Sequence, residues 1–189
     1  MSPRLSLAVL ASGRGSNLRA ILDACNTRDY TARVAVVISD RERALALERA
    51  QAHGVPSRFL NPKDFPDRAA YDTALGAAVE EHGVGLVCLA GFMRVLGASF
   101  IRRFPGRIMN IHPSLLPAFP GLAAQRQALD YGVRIAGATV HFVDEGVDTG
   151  PIILQASVPV HPDDTEETLA ARILREEHRL YPEAIRLFA

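Results

Sequence analysis

Cysteine is nearly missing from this 189-residue chain, which has only Cys25 and Cys88. The two lie far apart and match no metal-ligand spacing, so neither a zinc ribbon nor a disulfide scaffold organises the fold. Cys88 sits in an apolar run and reads as a core residue. So little cysteine fits a reducing compartment, and the expected location is the cytoplasm, with both thiols free. Net charge is missing too: Lys plus Arg and Asp plus Glu each number 21. Without a basic excess there is no footprint for nucleic acid or an anionic membrane, and any anionic ligand must be met by local donors. No apolar run reaches the roughly 18 residues a membrane span needs. Leu5–Ala11 is apolar but short and runs into a Gly-rich turn, so it reads as a first strand and not as a signal peptide. Repeats, low-complexity tracts and linkers are likewise missing. What remains, 48% hydrophobic and 22% charged, fits one compact domain that buries roughly 70% of its unfolded surface without staples.

The hydrophobic pattern alternates between strand and helix. Strands are expected at Arg4–Ala11, Arg33–Ser39, Ser57–Leu60, Gly85–Leu89 and Arg107–Ile111. Helices are expected at Leu18–Asn26, Glu42–His53, Arg68–His82 and, shorter, Ala98–Arg103. Asn61–Asp67 is a turn-rich loop. Such alternation implies right-handed crossovers and a parallel sheet. After a Pro-rich loop and a helix at Ala123–Tyr131, the pattern changes. Gly137–Val143 and Ile152–Val160 have no long helix between them and should pair antiparallel. A last helix, Thr165–Phe188, has Thr165 as its cap and Pro182 as a kink or break. The expected architecture is α/β: a Rossmann-like, mostly parallel sheet flanked by helices and extended by a mixed, antiparallel C-terminal part.

Asn110–Gly121, NIHPSLLPAFPG, carries the strongest chemical signal. Asn110 and His112 are two apart on a strand, so their side chains share a face. Pro113 ends strand pairing, and Pro117, Pro120 and Gly121 stiffen the loop that follows. An amide and an imidazole therefore stand together at a strand end, where ligands of α/β sheets commonly bind. A lone His there is ordinarily structural. Its company argues otherwise: downstream, HFVDEGVDTGPII places Asp144, Glu145 and Asp148 in a Gly-flanked loop, and a carboxylate there can orient or charge His112.

Two other segments are weaker signals. SGRGSN, Ser12–Asn17, joins the first strand to a helix; Gly13 and Gly15 permit unusual backbone angles, and the helix N-terminus suits phosphate. In G-x-G-x-x-G register the third position is Leu18, and no Gly-Lys-Ser/Thr follows, so it is neither a dinucleotide fingerprint nor a P-loop. LAGFMRVL, Leu89–Leu96, offers a Gly turn, apolar surface and one charge, Arg94, which suits a flat heteroaromatic ligand with an anionic tail; core packing is its plainer use. The acidic loop could be a simple solvated turn, and its glycines do not follow a calcium-loop pattern.

Together SGRGSNL, LAGFMRVL, NIHPSLLPAFPG and HFVDEGVDTGPIILQ, spread over nearly the whole chain, resemble the phosphoribosylglycinamide formyltransferases. The resemblance implies transfer of a formyl group from 10-formyltetrahydrofolate, as co-substrate, to the amine of glycinamide ribonucleotide, without metal. It also implies site roles. Asn110, His112 and Asp148 would be catalytic. Gly15, Ser16, Asn17 and Glu177 would hold the ribonucleotide. Arg68, Met93, Arg94, Val95, Leu96, Asn110, Asp144 and Asp148 would meet the folate. A single domain over 1–189 is implied, with residues to about 105 as a phosphate-binding half and about 106–189 as the catalytic and folate half. The partners are small molecules, with no nucleic acid and no membrane, and the expected state is a monomer or weak homodimer. One departure is visible: many members carry a His just after the Pro-Gly of the loop, where this chain has Ala123-Ala124-Gln125.

Three alternatives stand beside this reading. A formyltetrahydrofolate hydrolase would use water as nucleophile; such enzymes usually carry an extra N-terminal domain, and this sequence opens on its first strand. A transfer-RNA formyltransferase would bring a C-terminal extension or a basic surface. A non-catalytic phosphate sensor accounts for SGRGSN but leaves Asn110, His112 and Asp148 without a task.

Overall fold

A computed structural model describes residues 4–189. Its centre is a seven-stranded sheet in the order β3-β2-β1-β4-β5-β6-β7. The first five strands are β1 (Leu5–Leu10), β2 (Ala32–Ser39), β3 (Ser57–Phe59), β4 (Leu86–Leu89) and β5 (Ile108–His112). They pair with one another in parallel. β6 (Ile135–Phe142) and β7 (Ile152–Pro159) run antiparallel, β6 against β5 and β7 against β6. The expected Rossmann-like half and mixed extension thus form one continuous sheet.

The helices divide between its faces. α1 (Ser16–Cys25), α2 (Leu45–Ala52), α5 (Ala124–Tyr131) and α6 (Glu166–Phe188) share one core with Leu7, Val9, Cys88 and Met109. α3 (Arg68–Glu80) and α4 (Ala98–Arg103) cover the other face, against Ala8, Leu10, Val87 and Ile108. Leu7–Leu10 are fully buried because both faces are covered, which is why β1 reads as a continuous apolar run and not an alternating one.

Local chemistry sets the helix starts. Asp67 caps α3 by accepting from the Ala70 N–H at 2.8 Å. Thr165 and Thr168 form a reciprocal capping box at the start of α6. α2 begins at Leu45, three residues later than expected, because Arg41–Ala44 is a turn closed by the Ala44 N–H on the Arg41 carbonyl at 3.3 Å. Of the kink or break expected at Pro182, the break does not occur: α6 runs on to Phe188. Its continuous buried stripe, Leu169, Ile173, Leu180, Tyr181, Ala184 and Ile185, keeps it seated on the sheet. Tyr181 pins it further, its hydroxyl shared between the Leu89 and Met109 carbonyls at 2.9 and 2.8 Å.

Candidate active site

The strand order reverses between β1 and β4, so the loops leaving their carboxyl ends open a crevice. These are the SGRGSN and AGFMRVL segments, and they touch. The Ser12 N–H donates to the Gly91 carbonyl at 3.0 Å, and the Met93 N–H to Ser12 Oγ at 2.8 Å. β5 ends beside them, Leu89 being in register with Asn110.

On β5, Ile108, Asn110 and His112 share one face, the one that Ile108 packs against α3 and α4. Antiparallel register sets Asn110 opposite His141 and His112 opposite Thr139 on β6. Cross-strand partners lie on the same face, so two imidazoles and an amide converge. Asn110 Nδ2 lies 3.2 Å from His141 Nε2, and His141 Nδ1 lies 2.8 Å from the Phe142 carbonyl. A carbonyl only accepts, so Nδ1 carries the proton and Nε2 can accept from Asn110.

Asp148 joins the set from the loop after β6. One oxygen is 3.3 Å from His112 Nδ1 and accepts from the Gly121 N–H at 2.8 Å; the other is 3.6 Å from His141 Nε2. Burial works to raise the Asp148 carboxyl, but the His141 side chain, the Gly121 N–H and the neighbouring His112 imidazole outweigh it, and the net shift is downward. The other nitrogen of His112, Nε2, is 2.9 Å from the Phe119 carbonyl. Both nitrogens of His112 therefore face oxygens that can only accept, and only the doubly protonated ring fills both contacts.

The acidic loop is tied down and is not a simple solvated turn. Asp144 Oδ1 accepts from the Gly146 N–H at 3.0 Å and from Thr149 Oγ1 at 2.6 Å, and Glu145 pairs with Arg102 at 3.0 Å. Asp148 has φ of 54°, a left-handed angle that turns its carboxylate inward. Among the described residues, no cluster of three or more His, Cys, Asp or Glu is arranged to hold a metal ion.

At the other end of the crevice, Gly15 is the left-handed N-cap of α1, with no side chain capping the first turn. The N–H groups at the Ser16 end are thus open to an anion. Asn17 and Glu177, 160 residues apart, meet there: Asn17 Nδ2 donates to Glu177 Oε2 at 2.7 Å, and Asn17 Oδ1 is buried without a partner. Burial pushes the Glu177 carboxyl up, and the Asn17 hydrogen bond only partly offsets it.

The remaining sequence-predicted residues divide. Met93 and Val95 are each 66% exposed and form an apolar rim, and Arg94 lies over the Tyr71 ring, 5.0 Å from its centroid. Arg68 opens α3 with its side chain half exposed. Leu96 points elsewhere: it is buried in the α3–α4 core, so its side chain is core and not rim. A separate apolar cavity of about 400 Å³ lies behind the Pro-rich loop, among Leu115, Phe119, Ala128 and Tyr131. None of the sequence-predicted residues lines it.

Residues 5–185 match the family model described as formyl transferase. The chain belongs to the formyl transferase family. This formyl transferase is 58% identical to glycinamide ribonucleotide transformylase 1 from Symbiobacterium toebii, whose crystal structure it matches with a TM-score of 0.97 over 100% of this chain and 89% of that one. It is 45% identical to the phosphoribosylglycinamide formyltransferase of Escherichia coli (strain K12), over 98% of this chain and 87% of that protein. It is also 52% identical, over 96% of its length, to part of the trifunctional purine biosynthetic protein adenosine-3 of Drosophila melanogaster, of which it spans 14%. Against such a formyl transferase, the residue that sequence reasoning passed over is His141. The signal was present, a second His opening the strand before the acidic loop, but its pairing with Asn110 depends on the β5–β6 register.

Proposed function

We propose that this chain transfers the formyl group of 10-formyltetrahydrofolate to the amine of N1-(5-phospho-ribosyl)glycinamide, a step of purine biosynthesis. The observation that carries the reading is Asp148 held between His112 and His141 beside Asn110, at the strand end next to an uncapped helix N-terminus. Amine attack on the formyl carbon builds a tetrahedral oxyanion. Asn110 donates to that oxygen, a contribution of about 10²–10³ in rate for one such donor, while His141 holds its amide in place. His112, cationic against Asp148, stabilises the same charge and passes a proton toward the departing N10, for about 10²–10⁴ more. Gly15, Ser16 and Asn17 hold the phosphate and ribose, with Glu177 behind them. Met93 and Val95 face the folate ring system, Asp144 shapes the loop around it, and Arg68 and Arg94 face its anionic tail.

Residues to about 105 mainly hold the phosphate and about 106–189 mainly do the chemistry. The protein works in the cytoplasm as a monomer or weak homodimer, which sedimentation across a concentration series checks directly. The activity is tested by incubating the protein with 10-formyltetrahydrofolate, with and without glycinamide ribonucleotide. Amine-dependent tetrahydrofolate release is expected. Equal release without the amine would make it a hydrolase, and no release would leave a phosphate sensor.

A further inference from the structure

Two consecutive residues of α3, Tyr71 and Asp72, are buried, yet each holds a group at the rim of the crevice. Tyr71 is 1% exposed and its ring lies beneath the Arg94 guanidinium. Phe65 meets that ring edge-on at 5.6 Å and fixes its plane. The Tyr71 hydroxyl is buried with no hydrogen-bond partner, so the ring, and not the hydroxyl, is what the position uses. Asp72 has a side chain only 4% exposed. Its Oδ2 accepts from the Gly97 N–H at 2.8 Å and faces Arg68 Nε at 3.7 Å. A Cβ at position 97 would meet that same oxygen, so a larger residue there would have to displace the Asp72 carboxylate.

The segment from Gly91 to Gly97 is thus pinned three times: by Ser12 at Gly91 and Met93, by the Tyr71 ring at Arg94, and by Asp72 at Gly97. Arg94 has no carboxylate partner among the described residues. It rests on an aromatic face, which orients a guanidinium without neutralising it. Arg68 is restrained by a carboxylate at a distance that leaves most of its donors unused.

We propose that Tyr71 and Asp72 are positioning residues that present Arg94 and Arg68 as a two-pronged clamp for the carboxylates of the folate's glutamate tail. The inference rests on the folate assignment above and concerns what holds the clamp. A prealigned pair of cations meets a dianionic tail without losing side-chain freedom on binding. Neither residue touches the reacting atoms, so the effect belongs in co-substrate affinity and not in turnover.

The test compares KM for 10-formyltetrahydrofolate with KM for 10-formyltetrahydropteroate, which lacks the glutamate, in the parent, D72N, Y71F and R94K proteins. Asp72→Asn keeps an acceptor for the Gly97 N–H but removes the charge facing Arg68. Arg94→Lys keeps the charge but loses the guanidinium over the Tyr71 ring, and it reads that contact without disturbing the core. D72N and R94K should each raise KM for the glutamate-bearing co-substrate about fivefold to tenfold, and D72N should leave KM for the pteroate unchanged and hold kcat within about twofold. Tyr71→Phe should match the parent on both co-substrates. Equal KM rises for both co-substrates, or a loss of kcat, would overturn the positioning role. If the parent itself fails to distinguish the two co-substrates, the folate-tail assignment falls instead, and the proposal with it.

Discussion

Asp148 takes a left-handed backbone angle that β-branched residues resist and asparagine accepts readily. Asp148→Asn should therefore keep the loop and the Gly121 contact while removing the charge beside His112 and His141. Turnover should fall by at least about a hundredfold with both ligands still binding. His112→Ala alone should cost about as much as the double variant, since groups acting as one unit are not additive. Near-normal turnover in the Asn variant would remove the mechanism. The same carboxylate has a stability signature. Its folded pKa is depressed, so its contribution is present above the ordinary carboxylate range and lost as pH falls through the folded value. Glu177 has the opposite sign. Burial lets it keep its proton to higher pH folded than unfolded, so stability is lost as pH rises from the unfolded value through the folded one. Glu177→Gln keeps an acceptor for Asn17 and removes that loss. The urea midpoint near neutral pH should rise while KM for the ribonucleotide worsens; a lower midpoint with unchanged KM would mean Glu177 is purely structural.

Elements were legible where one local rule decided them. The apolar run of β1, the start of α3 at Arg68 after a turn-rich loop and the Thr165 cap all follow from spacing and capping chemistry, and each stands within a residue or two of its expectation. The pairing of Asn110 and His112 on one face also followed from period two alone. What could not be read was anything set by tertiary register. His141 joins the site because β6 meets β5 antiparallel with Asn110 opposite it, and a shift of one residue would have turned it to the other face. Leu96 was placed with Met93 and Val95 by the family resemblance, but the chain turns its side chain into the α3–α4 core. Pro182 was expected to kink or break a helix that packing on the sheet carries through. Gly15 lies between these cases. The need for a left-handed residue was visible in the motif, but its second constraint was not: a Cβ there would meet Cα and Cβ of Ala46, each at 2.9 Å. Gly15→Val must therefore push α2 away from α1 and strain the N-terminus that seats the phosphate. A loss of about 1–3 kcal/mol and a ribonucleotide KM raised at least about tenfold are expected, with folate-analogue affinity unchanged. Loss of folate-analogue affinity instead would mean the two ligand sites are reversed.

Across the whole molecule, the two faces of the sheet carry different chemistry. The α3–α4 face ends at the site, whereas the α1–α6 face encloses four groups that ionise only at high pH: Cys25, Tyr30, Cys88 and Tyr181. Burial pushes the Cys25 thiol up from 9.0 to about 11, against smaller opposing effects of the Val34 backbone and the Arg4 charge. Burial likewise raises Cys88, Tyr30 and Tyr181 far above their usual ranges. A group whose folded pKa is raised supports folding fully below its unfolded value and loses that support as pH rises through the folded one. Stability should accordingly hold from neutral pH to about 9 and then fall steeply, because the unfolded chain sheds protons that the core retains. The thiols' share can be separated from that of the phenols. Cys25→Ala with Cys88→Ala should lower the urea midpoint modestly near pH 7 through lost packing, yet shrink the fall between about pH 7 and about pH 10.5. Turnover should be unchanged, since neither thiol reaches the crevice. A fall as steep as the parent's would assign alkaline lability to the phenols alone, and a loss of turnover would show that the interior face of the sheet supports the site more directly than its packing implies.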